Sequence, residues 1–220
     1  MNESVRQKDH GKSDRLRLYL MRHGETDAGR DGKLYGHTDA ALSPAGIEQS
    51  RNLSNELQAI PLGAVYSSDL SRAVFAAQLI ADSHGLTPRL LSGLREVNMG
   101  YWEASTLGEI AVAHPEMLSS LFVDPSMFRY PGGESFADFR TRIDQALRGI
   151  FAAHSDGEVA IVAHGGVCRV ILGSLLELAP RNLLRLSQDF GCLNVVDVFG
   201  GQPLVRLLNY LPGKGCIPPW

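Results

Sequence analysis

Twice in this chain an apolar run stops at a histidine followed by glycine. Val159-Ala160-Ile161-Val162-Ala163 runs into His164-Gly165-Gly166. Leu16 to Met21, interrupted only by Arg17, runs into Arg22-His23-Gly24-Glu25-Thr26. Short apolar runs without polar alternation suit strands buried on both faces, which means a parallel sheet covered by helices on each side. In such sheets ligands gather beyond the carboxyl ends of the strands. If the two strands are neighbours, both imidazoles project into one crevice.

The rest of the pattern fits that frame. Asp27 to Ala41 is rich in Gly and Asp and reads as a loop. Ser43-Pro44 starts a helix, with Ser as N-cap and Pro at the first helical position, and Leu53, Leu57 and Ile60 follow at helical spacing. Ala64-Val65-Tyr66 is a second strand ending at Ser67-Ser68, and Leu70, Ala73, Val74, Ala77 and Ile80 mark the next helix. A third strand lies near Arg89-Leu90-Leu91. A short helix over Leu107 to Ala113 and Pro-bounded pieces up to Tyr130 suggest a cap. Ser135 with Asp138 resembles a capping box, opening a helix with Phe136, Phe139, Ile143, Leu147 and Ile150 on one face. The helix after His164 carries Val167, Val170, Ile171, Leu175 and Leu178. Val195 to Phe199 and Leu204 to Leu208 form a closing antiparallel pair about Gly200-Gly201. The expected fold class is α/β, a three-layer α/β/α sandwich with a mostly parallel central sheet and a small cap insertion. Residues 1–14 read as a disordered polar tail, 15–212 as a single domain with its cap at about 104–132, and 213–220 as a C-terminal tail.

Composition narrows the function class. The 220 residues are 44% hydrophobic and 20% charged, with a formal net charge of -3, which points to neither a nucleic-acid nor a membrane partner. Cys168, Cys192 and Cys216 are few, odd in number and far apart. They read as reduced thiols rather than a disulfide framework or zinc site. The N-terminus has no apolar secretory segment, so a cytoplasmic location is expected. His37, His84, His114 and His154 lack metal-ligand spacing and read as surface or loop residues.

The residues at the strand ends suit a phosphate monoester. Arg22, and Arg72 near the start of the helix after the second strand, supply planar, bidentate positive charge. Backbone N–H groups near Gly24, and at the helix start after Gly165-Gly166, add neutral donors. His23 is the candidate nucleophile, since a carbonyl in its tight turn can hold Nδ1 and fix the tautomer. His164, protonated beside the phosphate, is the candidate stabiliser of the transferring group together with both arginines. Glu96 is the candidate proton donor to the leaving oxygen, with Glu25, Glu103 and Glu134 as rivals. Asn194 is either a pocket residue or a plain strand residue. Tyr101, Trp102, Phe122, Phe128 and Tyr130 are either a wall for the leaving group or the core of the cap.

Leu20-Met21-Arg22-His23-Gly24-Glu25-Thr26 resembles the signature of the histidine phosphatase superfamily, which includes cofactor-dependent phosphoglycerate mutases. The likeness continues through Gly36-His37-Thr38-Asp39, Leu42-Ser43, Gly46 and Gln49. It then takes in Ser67-Ser68-Asp69-Leu70-Ser71-Arg72-Ala73, Leu94-Arg95-Glu96, Pro131-Gly132-Gly133-Glu134-Ser135 and Val162-Ala163-His164-Gly165-Gly166, in family order from about residue 16 to 210. The resemblance implies that His23 is a phosphohistidine nucleophile. It makes Arg22, Arg72 and His164 the rest of the phosphate pocket and Glu96 the proton donor, with no metal and no cofactor. Substrate contacts are then expected at Arg22, Gly24, Thr26, Gly36, Arg72, His164 and Gly165.

The chain also departs from that pattern. Gly29 stands where many members carry Asn, and Ala104 follows Trp102-Glu103 where Gly is usual. The segment between Glu96 and Pro131 has Arg129 as its one Arg and no Lys, so it lacks the paired arginines with which mutases hold a second anionic group. The pattern is similar to that of the small phosphatases of the group, such as α-ribazole phosphatases and broad-specificity enzymes. The expectation is a metal-independent hydrolase of a small phosphate monoester, with α-ribazole 5′-phosphate among the expected substrates, as a monomer or homodimer. A phosphoglycerate mutase and a non-catalytic phospho-ligand binding module are the alternatives.

Overall fold

The computed structural model describes residues 15–213. The two expected tails therefore lie outside the described residues, apart from Gly213, and so does Cys216. The central sheet has six strands in the order β3-β2-β4-β1-β5-β6. They are β1 (Arg15–Arg22), β2 (Ala64–Ser67), β3 (Arg89–Leu90), β4 (Gly157–Ala163), β5 (Leu193–Phe199) and β6 (Gln202–Tyr210). The first four positions of the sheet are parallel, and β5 and β6 close it antiparallel.

The apolar run of β1 divides between two cores. Leu16, Leu18 and Leu20 face one cluster, which holds Phe139, Ile143 and Leu147 of α6 (Phe136–Ala153) and Val167 and Ile171 of α7 (Gly165–Leu175). Tyr19 and Met21 face the other, with Leu53 and Leu57 of α2 (Pro44–Leu57) and Ala73, Ala77 and Ile80 of α3 (Ser71–Ser83). This is the sandwich expected of a strand buried on both faces. Arg17, the one charged interruption, is buried against the carboxylate of Asp197 on β5 at 2.5 and 2.8 Å, so its charge is neutralised within the sheet.

Helix starts follow their side chains. Ser43 accepts from the Gly46 N–H at the head of α2. Ser135 accepts from the Asp138 N–H at the head of α6, but Asp138 bonds the Ser135 hydroxyl at 2.6 Å, so this cap lacks the reciprocal bond of a capping box. A complete capping box stands instead at Thr106 and Glu109, heading α4 (Leu107–Ala113). In the supposed loop after Thr26 the chain makes a short helix, α1 (Asp27–Arg30), because the Thr26 hydroxyl caps the Gly29 N–H. α7 ends at Leu175, before Leu178: Glu177 adopts φ +54°, and the Leu178 N–H turns back to the Gly173 carbonyl at 2.8 Å. Leu178 still packs on the first core.

Between residues 104 and 132 lie α4, α5 (Pro115–Val123) and a 3-10 turn (Pro125–Met127). They close over a small core of their own built on Trp102, Ile110 and Phe128.

Candidate active site

The register of the sheet sets the site. β1 and β4 are adjacent and parallel, with Arg22 opposite Ala163. The His23 N–H bonds the Ala163 carbonyl at 3.0 Å. Both histidines therefore leave the sheet side by side, and their ring centroids lie 5.0 Å apart.

His23 is 5% exposed and His164 is fully buried. His23 Nδ1 lies 2.6 Å from the Gly24 carbonyl. A carbonyl only accepts, so Nδ1 carries the proton and Nε2 keeps its lone pair. Gly24 is required by close approach: a Cβ there would collide with the backbone of Gly46. Neither ring nitrogen of His164 has a partner among the described residues. Burial holds both imidazoles well below the usual histidine pKa. The neighbouring Arg22 and Arg72 charges add to this, and the Gly24 bond opposes it at His23. The buried surroundings therefore favour the neutral form of both rings.

Two guanidinium groups border the rings. Arg72, 2% exposed, gives Nη1 to the Thr38 carbonyl at 3.0 Å and Nη2 to the Gly36 carbonyl at 2.7 Å. Its nearest carboxylate, Asp39, is 3.6 Å away and half-exposed. Arg22 gives Nη1 to the Gln188 carbonyl at 2.6 Å, while its Nε is buried without a partner. Burial lowers both guanidinium pKa values, and the charge of Glu96 opposes this in each. Buried cations and unpartnered polar atoms are costly unless an anion or acceptor meets them. The arrangement suits a tetrahedral anion.

Glu96, at the edge of the crevice, accepts from its neighbour Val97 N–H and from the Gly166 N–H at the head of α7, both at 2.9 Å. Its rivals are committed elsewhere. Glu25 accepts from the Ser43 hydroxyl, Glu103 from the His37 and Thr38 N–H groups, and Glu134 from Arg142. Gly165 starts α7 between the guanidinium groups of Arg22 and Arg169. The Thr26 hydroxyl is spent on capping α1, and the Gly36 carbonyl on Arg72. Asn194 is fully buried and exchanges hydrogen bonds with Leu20, Gln188 and Asn209, a structural position.

Of the other histidines, His84 caps carbonyls at the end of α3, His154 bonds Tyr66 and His114 stacks on Trp102. His37 Nε2 is buried without a partner. Among the described residues no group of three or more His, Cys, Asp or Glu gathers as metal ligands do.

Three features escaped the sequence reading. The Phe190 ring stacks on Arg22, with Cζ 3.7 Å from the ring centroid, and lies 5.6 Å from His23. A Cβ on Gly29 would come within 2.7 Å of that ring, so Gly29 makes room for Phe190. Arg142 pairs with Glu134 at 2.7 and 2.9 Å and donates to the carbonyls of Gly93, Arg95 and Glu96. It thereby clamps the loop that presents Glu96. Arg169 lines the cavity under the cap. None of the three has a local signal, since each acts across more than 40 positions of chain or through a loop.

The molecule is similar to known proteins over most of its length. It is 28% identical over 194 residues to an adenosylcobalamin/alpha-ribazole phosphatase of Salmonella typhimurium, covering 88% of this chain and 96% of the relative. It is 31% identical over 177 residues to a "Probable phosphoglycerate mutase" of Erwinia tasmaniensis, covering 80% and 82%. The crystal structure of the alpha-ribazole phosphatase from Shigella flexneri superposes with a TM-score of 0.81 at 28% identity, covering 89% and 97%. The family model of the histidine phosphatase superfamily, branch 1, matches residues 18–211. On that match, and with paired histidines at the ends of β1 and β4, the chain belongs to the histidine phosphatase superfamily.

Proposed function

We propose that this phosphatase hydrolyses small phosphate monoesters through a phosphohistidine on His23. The observation that carries the reading is the unused Nε2 of His23, aimed by the Nδ1 bond to Gly24 and bordered by His164, Arg22 and Arg72. Nε2 donates its lone pair to phosphorus as the phosphorus–oxygen ester bond breaks. The leaving oxygen takes a proton from Glu96. Water, deprotonated by Glu96, then attacks the phosphohistidine, and the phosphorus–nitrogen electron pair returns to Nε2. The two guanidinium groups and His164, which gains a proton as the dianion binds, neutralise the equatorial oxygens. No step requires a metal.

α-Ribazole 5′-phosphate is the leading natural substrate, supported by relatives of that name at 28% identity. The cap argues against a mutase. Its one arginine, Arg129, pairs with Asp138 at 3.0 Å on the surface and is not part of the cavity lining. We place the protein in the cytoplasm, on its buried free thiols Cys168 and Cys192. No helix among the described residues is long and apolar enough to cross a membrane.

The test is to quench turnover of a ³²P-labelled monoester in alkali, where phosphohistidine survives. Label on the parent and none on His23→Ala is expected; label retained by the variant would overturn the assignment. With 3-phosphoglycerate, inorganic phosphate is expected, and 2-phosphoglycerate without phosphate would make the chain a mutase.

A further inference from the structure

Beyond the phosphate pocket lies a cavity of about 400 Å³ between the cap and α7. Its charge sits at one end. Arg22, Glu96 and Arg169 are the charged residues of its lining, and two of them already serve the phosphate pocket. Tyr130, also in the lining, stands within electrostatic reach of Glu96. The remaining wall is apolar, with Leu34, Met99, Trp102, Leu121, Phe122 and Phe128 on the cap side. The Trp102 indole nitrogen is buried beneath that surface.

The polar end is built for a ligand that continues from the phosphate. Arg169 lies one turn into α7 and fixes its Nε on the Leu186 carbonyl at 2.9 Å. Its terminal nitrogens have no hydrogen-bond partner among the described residues, and neither has the Tyr130 hydroxyl. A Cβ on Gly165 would lie 3.2 Å from Arg169 Nη1 and 3.3 Å from Arg22 Cζ. The two guanidinium groups therefore flank one glycine, so an ester oxygen held at Arg22 is a few bonds from Arg169. A guanidinium fork at that distance selects an oxygen acceptor.

Resting on the phosphatase reading, we propose that this cavity is a leaving-group subsite for an amphipathic alcohol: a short oxygen-bearing linker read by Arg169 and Tyr130, followed by an apolar ring system that fills the cap. A ring with a polar edge loses water there and finds no exposed side-chain partner in return. Triose acids and free sugars leave the apolar chamber unfilled. α-Ribazole 5′-phosphate, with ribose before a dimethylbenzimidazole, belongs to the favoured class. GMP has the same linker with a polar base.

The experiment measures kcat/KM for α-ribazole 5′-phosphate, ribose 5-phosphate, 1-naphthyl phosphate and GMP, in the parent and in Arg169→Ala. The parent is expected to prefer α-ribazole 5′-phosphate to ribose 5-phosphate and GMP by at least about tenfold. Arg169→Ala is expected to lose about tenfold more on α-ribazole 5′-phosphate than on 1-naphthyl phosphate, which lacks the linker. Ribose 5-phosphate or GMP within about threefold of α-ribazole 5′-phosphate, or equal losses in the variant, would overturn the subsite while leaving the phosphatase reading intact. If none of the four turns over, the phosphatase reading falls, and calorimetric binding of the same four decides the cavity. The same order of affinity upholds it, and any other order overturns it.

Discussion

The proposed phosphate pocket and the cap cavity share Arg22 and Glu96 but are built on opposite principles. In the pocket nearly every polar group is aimed by another: Gly24 holds His23, Gly36 and Thr38 hold Arg72, Gln188 holds Arg22, and Arg142 holds the loop of Glu96. The cap is held by apolar packing about Trp102 and Phe128. It leaves Val112, Val123 and Met127 at 86%, 71% and 92% exposure. Directional bonds fix reacting atoms in place, whereas apolar contacts tolerate exchange of shape. The comparison predicts that reaction and specificity are physically separable here: damage to the phosphate-holding groups should act on all esters alike, damage to the proton donor according to how good the leaving group is, and damage to the cap according to its shape.

The sharpest way to break that separation is His23→Ala. It should lower kcat by at least about ten-thousandfold on every ester, since the Gly24 carbonyl fixes the tautomer of His23 alone, and His164 gives up its lone pair to a proton once the dianion binds. Calorimetry should still show phosphate binding. Loss of both together would mean that the variant had lost the pocket and not just the nucleophile.

Glu96→Gln comes next. A drop of about a hundredfold or more is expected on alkyl phosphates, which need a proton on the leaving oxygen, with a smaller one on p-nitrophenyl phosphate. Equal losses on both would remove Glu96 from proton transfer and leave it a structural cap on α7.

Gly29→Asn tests the Phe190 contact. The new side chain displaces the ring that stacks on Arg22. KM should rise about tenfold for all esters with kcat little changed, at a stability cost of about 1–3 kcal/mol. A change confined to one class of ester would place Phe190 in substrate selection instead.

The smallest effect concerns pH. Burial depresses the His23 and His164 pKa values in the folded protein, while unfolded histidine titrates near about 6.5. Below that value the unfolded chain binds more protons, so stability falls as pH drops through it and is level above it, by up to about 1.4 kcal/mol per pH unit for each ring. Thermal melts from neutral to mildly acidic pH should show this slope. Added phosphate should flatten it, because His164 beside a bound dianion accepts a proton. An unchanged slope with phosphate would argue against His164 as a phosphate contact.

Much of this was legible along the chain. β1 and β4 announced themselves as apolar runs, and Ser43-Pro44 announced α2. The Thr106–Glu109 capping box was present in the sequence, but short Pro-bounded pieces around it hid the cap. Asp27 to Arg30 read as loop because Gly and Asp outweigh a single Thr cap in local propensity.

What the sequence determined by itself was the set of buried strands, the helices between them and the residue types at the strand ends, because burial on two faces and helical periodicity are local signals. Tertiary structure decided which glutamate is free to face the crevice, that Phe190 occupies the space beside Gly29, that Arg142 clamps the Glu96 loop and that Arg169 enters the cavity. Those outcomes depend on strand order and on contacts between segments dozens of residues apart, and no pattern of near neighbours encodes such distances.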